Sequence, residues 1–314
     1  MHSSDPQPAG SSRRGRRSPR RGRLFLIGFL LGLGAFVGWQ WWPSEDAEPS
    51  AVPTPVAATS SSSTPGASAT PRISSLQDVL VEARTALAYL QGNVDDYTAR
   101  LVKQERVNGK LQPRQEMDVK IQTRRSEEAA RPRPMRVYLR FTAPEKVAGR
   151  EVIWAEDRFE GKLVAHEAGF KGLIPVPPLD PEGMLAMLGN RYPITQIGLI
   201  NLVRKLIERG EDDLEDSNTS VATTADHLVG DRPCFLIRVI HAEPDGSEDD
   251  FSVAEIAIDR ERNIPLRYTA FGWPDGDEAG DTPLLESYTY LDVELNVGLS
   301  ESDFDPENPA YQFP

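Results

Sequence analysis

A run of 19 residues without a charged side chain, Leu24 to Trp42, is the feature that most restricts how this chain can fold. As an α-helix the run would be roughly 28 Å long at 1.5 Å per residue, close to the ~30 Å hydrocarbon core of a bilayer. Trp39, Trp41 and Trp42 lie at its end, where aromatic rings favour the headgroup boundary. The sequence therefore predicts a transmembrane helix over residues 24–42.

The residues on either side of this run predict its orientation. Residues 1–23 contain seven Arg and a single acid, whereas Glu45, Asp46 and Glu48 follow the run. Basic flanks stay on the cytoplasmic side of a membrane. We therefore expect a basic cytoplasmic tail over residues 1–23 and a single pass through the inner (cytoplasmic) membrane. The rest of the chain is then periplasmic or otherwise extracytoplasmic.

A cleaved signal peptide is the alternative interpretation of the same run. Cleavage requires small residues directly after the apolar segment. Here residues 39–43 read Trp-Gln-Trp-Trp-Pro, and the run is longer than the usual apolar region of a signal peptide. These features favour an uncleaved signal-anchor helix, so the membrane itself is the first expected partner.

Two segments of different composition follow the predicted anchor. Residues 43–72 are rich in Pro, Ser, Thr and Ala, and they lack the apolar side chains that would offset the entropy of ordering. We expect a disordered linker about 30 Å long on average. Residues 73–314 contain the folding signals and form the predicted globular domain.

The charge of this domain excludes one class of partner. The whole chain carries −13 and the first 23 residues carry about +6, so the remainder carries about −19. Nucleic-acid binding requires Lys and Arg to replace the counterions of phosphate groups. We therefore expect no nucleic-acid partner.

Helical spacing of apolar residues predicts three helices in the domain. The first begins at Ser75 and Asp78, a capping pair, and ends at Gly92. A second is expected over residues 182–188, and a third over residues 197–209 with Gly210 as its terminator.

Period-two alternation predicts an antiparallel sheet that is packed on one side. The alternation runs through residues 117–122 and 135–141, and Asn108-Gly109 is a hairpin-turn signal. Further strands are expected at 151–156, 161–167, 234–241, 251–259, 265–273 and 284–295. In the last of these, the series from Leu285 to Leu295 is the more apolar, and we expect it to face the core. The predicted fold class is α+β, a curved antiparallel sheet covered by a few helices.

Motifs of catalysis, of cofactor binding and of metal binding are missing from the sequence. His166-Glu167 begins like a zinc-protease motif, but Phe170 stands where the second His is required. The sequence has no Gly-x-Ser-x-Gly elbow, no phosphate-binding Gly-Lys-Ser/Thr loop and no Cys-x-x-Cys pair. Cys234 is the single cysteine and is expected in the core. We expect no cofactor, no metal and no enzymatic activity.

Four segments resemble a bacterial envelope family known only as a domain of unknown function. They are DYTARLVKQERVNGKL (96–111), GREVI (149–153), GNRYPITQIGL (189–199) and NVGLSESDFDPENPAY (296–311). That family is similar, more distantly, to the LolA/LolB-like lipoprotein carriers. The resemblance implies a half-barrel closed by helices, with a concave apolar face that holds acyl chains. An anchored chain does not diffuse between membranes, so local lipid handling is expected rather than a shuttle.

The predicted ligand-binding residues follow from this interpretation. The strand residues are Val119, Ile121, Val137, Leu139, Phe141 and Trp154. The lid residues are Met184, Leu185, Met187 and Leu188, with Arg191 and Tyr192 beside them for a headgroup. The alternative for all of these is ordinary sheet core and a Tyr-Pro turn. At the level of function, the alternatives are an envelope structural or protein-interaction domain with a closed core, and a hydrolase.

Overall fold

The computed structural model describes residues 75–126, 129, 132–169, 172, 175–215, 218–244, 246, 250–274 and 282–314. The predicted tail, anchor and linker lie outside these residues. Among the helices that are described, none is long and apolar enough to cross a bilayer.

An antiparallel sheet of eleven strands forms the body of the described domain. Its strands are β1 (Asp96–Val107), β2 (Lys110–Leu111), β3 (Gln115–Gln122), β4 (Arg136–Ala143), β5 (Glu151–Ala155), β6 (Leu163–His166), β7 (Thr219–Val229), β8 (Arg232–His241), β9 (Val253–Asp259), β10 (Pro265–Phe271) and β11 (Leu284–Leu295). The helices are α1 (Leu76–Asn93), α2 (Met184–Met187) and α3 (Leu199–Asp212).

The first and last long strands pair in the middle of the sheet. The order is β6-β5-β4-β3-β1-β11-β10-β9-β8-β7, and β2 pairs only with β1. Each half of the sheet is therefore a run of sequential antiparallel neighbours. The connection between the two outermost strands, β6 and β7, contains α2 and α3.

Most predicted elements are confirmed. Ser75 caps α1 in a capping box with Asp78, and Asn108 and Gly109 form the positive-φ turn between β1 and β2. Three strands, β1, β7 and the two-residue β2, were not predicted. The hydropathy of successive residues alternates only weakly in β1 and β7, because β1 includes five charged side chains and β7 is mostly Thr, Ser and Ala.

The two longer helices pack on one face of the sheet. Leu80 and Leu90 of α1 and Val203 of α3 join the same buried cluster as strand residues from β1, β3 and β4. Gly210 is buried inside α3 and does not end it. A Cβ at this position would lie 3.0 Å from Leu80 Cδ2, so the glycine permits close approach of α1. The prediction that Gly210 terminates the helix is wrong for this packing reason.

The facing of β11 is the reverse of the prediction over residues 286–290, whereas Val293, which follows the positive-φ residue Asp292, is buried in the core as predicted. Glu286 is buried, and Tyr290 lies in the core beneath α3. Ser287 and Thr289 belong to the opposite face, because side chains alternate along a strand. Aromatic rings and hydrogen-bonded carboxylates therefore occupy the core side, and the hydropathy of the alternation alone does not identify it.

The prediction of a sheet packed on one side needs a second correction. The C-terminal segment after β11 lies against the other face of β4 and β5. Phe304 is buried beside Tyr138 and Ile153, and the ring of Tyr311 stacks on Tyr138 with centroids 4.1 Å apart. Glu151 accepts hydrogen bonds from the Tyr138 hydroxyl at 2.6 Å and from Gln312 N at 2.7 Å.

Two buried phenols hold the start of α3. Tyr97 Oη accepts from Leu199 N at 2.9 Å, and Tyr290 Oη accepts from Gly198 N at 3.2 Å. The N-terminal amides of a helix have no partner within the helix, so these phenols satisfy two of them. Gly198 has a φ of 104° and a Cβ there would lie 2.9 Å from Tyr97 Oη, so glycine is required.

We predict that Tyr97→Phe lowers the free energy of unfolding by about 1–3 kcal/mol, because the buried Leu199 amide loses its acceptor. Chemical denaturation followed by circular dichroism measures the change. Tyr89→Phe is the control, since Tyr89 is 41% exposed on α1. Equal losses in the two variants would contradict the account of the α3 start.

Candidate functional site

An apolar pocket lies between the two long helices and the C-terminal half of the sheet. Residues of α1, α3, β8, β9 and β10 line it. The apolar lining residues are Leu76, Val79, Leu80, Ala83, Ala86, Val203, Leu206, Phe235, Ile237, Val239, Phe251, Ala254, Ile256, Ile258, Pro265 and Tyr268. Aliphatic and aromatic walls of this kind suit an apolar ligand and give little to a polar one.

The pocket is small in this state. Its volume is about 60 Å³, whereas an engineered cavity that binds benzene has about 150 Å³. An acyl chain is longer than benzene, so it enters only if a helix moves away from the sheet.

Two of the polar residues that line the pocket lie at the C-terminal end of α3, and the others are Glu82 and Asn263. Arg209 and Asp213 line the pocket there. Asp213 Oδ2 lies 3.2 Å from His241 Nε2, and Arg209 lies over the ring of Phe251 at 5.2 Å. The His241 ring also stacks on Phe251 with centroids 4.3 Å apart. These contacts attach the end of α3 to the ends of β8 and β9.

A buried polar cluster lies beside the pocket, on the same face of the sheet. Glu105 on β1 and Glu286 on β11 are direct cross-strand partners, and they are 3% and 6% exposed. Lys103 Nζ lies 3.2 Å from Glu105 Oε2, and Arg191 Nε lies 3.6 Å from Glu286 Oε2. Two buried acids and two cations therefore share one site.

Tyrosines connect the two carboxylates of this cluster. Tyr288 Oη lies 2.6 Å from Glu105 Oε1 and 3.1 Å from Glu286 Oε2, and Tyr192 Oη lies 3.3 Å from Glu286 Oε1. Burial and both carboxylates raise the pKa of Tyr288, so its phenol stays protonated. One phenolic proton serves one carboxylate, and the shorter distance assigns it to Glu105.

The pKa of Glu286 is raised. Burial is the main cause, and the charge of Glu105 adds to it, while Arg191 and the two tyrosines act in the opposite direction. Two carboxylates in one site cannot both ionise at the ordinary cost, so one of them keeps its proton more tightly.

The cluster and the pocket share a wall. Tyr268, which lines the pocket, is the cross-strand partner of Tyr288. Burial raises the pKa of Tyr268, and Glu286 contributes to the rise. An apolar space and a polar cluster are therefore adjacent under α3.

The predicted strand residues lie in the core of the other half of the sheet. Val119, Ile121, Val137, Leu139 and Trp154 are buried in one cluster, and Phe141 packs against it. The described pocket is lined by a different set of residues. The role of these six side chains in ligand binding stays a prediction.

The predicted lid residues lie in and beside α2, which is a single turn. Met184, Leu185 and Leu188 are 86%, 64% and 59% exposed, while Met187 is half-buried. Ala186 is the residue of this turn that packs against the core. The helix predicted over residues 182–188 is thus shorter, and its apolar side chains mostly face solvent.

Arg191 and Tyr192, predicted beside the lid, lie over the two buried glutamates. Arg191 N donates to Glu105 Oε2 at 3.1 Å, and Arg191 Nε donates to Tyr192 Oη at 3.1 Å. Lys205 of α3 lies 4.1 Å from the centre of the Tyr192 ring. These contacts bring the segment before α3 into the site, and a contact with a headgroup stays a prediction.

Sequence reasoning missed the most buried members of the cluster. Glu105 lies in a charged stretch that carries no strand signal, and Glu286 was assigned to the solvent face. Tyr288 and Tyr290 could have indicated which face of β11 is buried, because two aromatic residues at a spacing of two are typical of a buried strand face.

The described residues give the hydrolase hypothesis little support. His241 pairs with Asp213, but the neighbouring Ser252 hydroxyl donates to the Gly272 carbonyl at 2.6 Å. Within the described part of the chain, no group of three His, Cys, Asp or Glu residues is placed to hold a metal ion. Cys234 is buried, and burial raises its pKa to about 11, so its thiol is protonated at neutral pH.

Comparison with known families identifies the domain. The family described as Protein of unknown function (DUF1571) matches residues 94–313, most of the chain. The chain belongs to the DUF1571 family. The resemblance to a domain of unknown function seen in the four sequence segments is thereby confirmed. A comparison with curated proteins found no match.

Several solved structures are similar to this DUF1571 domain at low sequence identity. A DUF1329 family protein from Desulfovibrio piger is 11% identical, with a TM-score of 0.35, over 76% of this chain and 98% of that one. A LolA superfamily protein from Nitrosomonas europaea is 8% identical, with a TM-score of 0.27, over 73% and 97%. A chain of the Pseudomonas aeruginosa MucA/MucB complex is 15% identical, with a TM-score of 0.36, over 73% and 60%.

We predict that Glu286→Gln raises the free energy of unfolding relative to the natural chain as the pH rises. The folded state binds the Glu286 proton more tightly than the unfolded state does, so the natural chain loses stability above the unfolded pKa. The gain at pH 7 over pH 4 is up to about 1 kcal/mol, the scale of a cross-strand charge pair.

Denaturant titrations at both pH values measure this difference. Glu294→Gln on the same strand is the control, because Glu294 is exposed, and it should show no gain. A Glu286→Gln variant that is less stable at pH 7 than at pH 4, relative to the natural chain, would contradict the raised pKa.

Proposed function

We propose that this DUF1571 domain holds the apolar chain of a lipid or of an acylated protein between α1, α3 and the sheet. The domain acts as a non-enzymatic module that the Leu24–Trp42 helix tethers to the outer side of the inner membrane. The observation that carries the proposal is the apolar pocket lined by α1, α3 and the strands β8 to β10.

Opening of α3 at its C-terminal end supplies the missing volume. Two phenols hydrogen-bond the first amides of α3, Gly198 N and Leu199 N, which makes this end a pivot. The C-terminal half of α3 lines the pocket with Leu206 and Arg209. Outward rotation about the pivot enlarges the pocket without breaking the sheet.

Apolar packing of Val203, Leu206 and Ile207 resists this rotation, and so do two polar contacts near the end of the helix. The Arg84–Glu211 ion pair between α1 and α3 spans 2.6 Å, and both side chains are about half exposed. Exposed pairs of this kind contribute roughly 0–1 kcal/mol. The Asp213–His241 contact is buried, and it is therefore the main polar contact that must open.

The position of the polar groups gives the ligand an orientation. The apolar chain lies along β8 to β10, and its polar end leaves the pocket at Arg209 and Asp213. The buried glutamate cluster borders the pocket at Tyr268 and stabilises the segment before α3. A tethered module of this kind receives its ligand from the membrane in which it is anchored.

We predict that Ala83→Leu blocks the pocket, because Ala83 lines it and a larger side chain fills its small volume. Photo-crosslinking of a diazirine palmitate to the full-length chain in lipid nanodiscs measures occupancy. In the natural chain, mass spectrometry should locate adducts on α1, α3 and β8 to β10. The variant should lose most of them, about tenfold if filling removes ~1.4 kcal/mol of binding free energy.

Ala88→Leu is the matched control, since Ala88 lies on the same helix and is exposed. It should keep the adduct pattern of the natural chain. Adducts confined to residues 24–42, or adducts in the domain that Ala83→Leu leaves unchanged, would contradict lipid binding in the pocket.

A second candidate function is protein interaction by a domain with a closed core. The observation that favours it is the exposed apolar turn formed by Met184, Leu185 and Leu188, because clustered apolar side chains on a surface mark contact sites. A crosslinking experiment that yields no adduct in the domain would favour this candidate over lipid binding.

A further inference from the structure

A second, larger cleft lies on the face of the sheet that is turned away from α1 and α3. It has a volume of about 360 Å³ and is lined by residues of β1, β9, β10 and β11 together with Arg114. The lining residues Gln104, Thr269 and Ser287 alternate along their strands with the buried Glu105, Tyr268 and Glu286 of the helix side. The outer cleft is therefore separate from the apolar pocket.

The floor of the outer cleft is a row of polar side chains that crosses the strands. Glu255 pairs with Thr269, Thr269 with Ser287, and Ser287 with Gln104. The Thr269 and Ser287 hydroxyls lie 3.0 Å apart. Successive members of the row are about 4.8 Å apart, the spacing of neighbouring strands. Donors and acceptors thus repeat at a spacing close to the length of one sugar ring.

Arg267 lies beside this row, and not all N–H donors of its guanidinium are used. Its Nη2 lies 3.6 Å from Glu255 Oε2, and Glu255 accepts a shorter bond from Arg238 Nε at 2.8 Å. Among the described residues, the buried Nε of Arg267 has no hydrogen-bond partner. A guanidinium with an unused N–H donor favours a planar acceptor that has two oxygens, such as a carboxylate.

The charge of the lining residues agrees with an acidic ligand. Arg114 and Arg267 line the cleft against one acid, Glu255, which also forms an ion pair with Arg238. The outer cleft is thus locally basic within a domain, residues 73–314, whose 27 Lys and Arg and 44 Asp and Glu give a net charge of −17. A carboxylate is attracted to this place while most of the surface repels it.

The remaining walls of the cleft are apolar. Val102, Phe271, Leu284 and Leu291 line it beside the polar row. Sugar rings present C–H faces to such side chains and hydroxyl groups to polar ones. A peptide strand is a poorer occupant, because β1, β11, β10 and β9 are paired on both sides and offer no free edge for main-chain pairing.

We propose that the outer cleft binds a carboxylate-bearing sugar. The carboxylate lies at Arg267, and the ring hydroxyls lie along Thr269, Ser287 and Gln104. The site does not depend on lipid binding in the apolar pocket. It gives the tethered domain a second ligand class, an acidic saccharide of the compartment in which the domain is displayed.

Isothermal titration of the full-length chain in nanodiscs tests the proposal with three acidic probes and their neutral partners. The acidic probes are trigalacturonate, N-acetylneuraminate and N-acetylmuramate, and the neutral ones are galactotriose and N-acetylglucosamine. At least one acidic sugar should bind about tenfold more tightly than the neutral sugars. Arg267→Gln should remove about tenfold in affinity, the effect of one charge-assisted hydrogen bond.

Ser287→Ala is the second variant and should weaken binding of the same sugar with little effect on folding. Arg204→Gln is the control, because Arg204 is exposed on α3, and it should bind like the natural chain. The proposal is overturned if none of the acidic probes binds at millimolar concentration. It is also overturned if neutral sugars bind as tightly, or if Arg267→Gln and Ser287→Ala leave the affinity unchanged.

Discussion

The pairing of β1 with β11 is the interaction on which the rest of the structure depends. It joins the N-terminal and C-terminal halves of the sheet, and it also brings Glu105 opposite Glu286. A register shift of one residue would exchange the two faces of each strand. Glu105 would then no longer lie opposite Glu286, and Gln104 would lose its alignment with Ser287. One register therefore defines both candidate sites.

This pairing also explains why α3 is anchored at one end. Tyr97 is near the start of β1, and Tyr290 is on β11, so the two phenols that hold the first amides of α3 come from the central pair. The other end of α3 contacts the ends of β8 and β9 through Asp213, Arg209 and His241. A helix held firmly at its start and by side chains at its end is suited to hinge away from the sheet.

The sequence predicts those elements whose hydropathy has a strong period. It does not predict which residues are buried where tertiary packing overrides that pattern. The α1 capping box and the Asn108-Gly109 turn were predicted because short-range hydrogen bonds and positive φ determine them. The strand β1 was missed since it is rich in charged residues, and the partners that bury them come partly from other strands, as Tyr288 of β11 does for Glu105. The family resemblance implied an apolar face, but the residues that line the pocket were not predicted, because its walls come from distant segments that only the fold assembles.

Hydrogen exchange measured by mass spectrometry on the full-length chain tests the central claim that α3 opens from its C-terminal end. The account predicts that amides of residues 206–212 exchange faster than those of residues 199–203. Added palmitate should change the exchange of residues 206–212 and of β8 to β10 while leaving the start of α3 unchanged. Uniform protection along α3, unaffected by palmitate, would contradict the hinge and the lipid-binding function that depends on it.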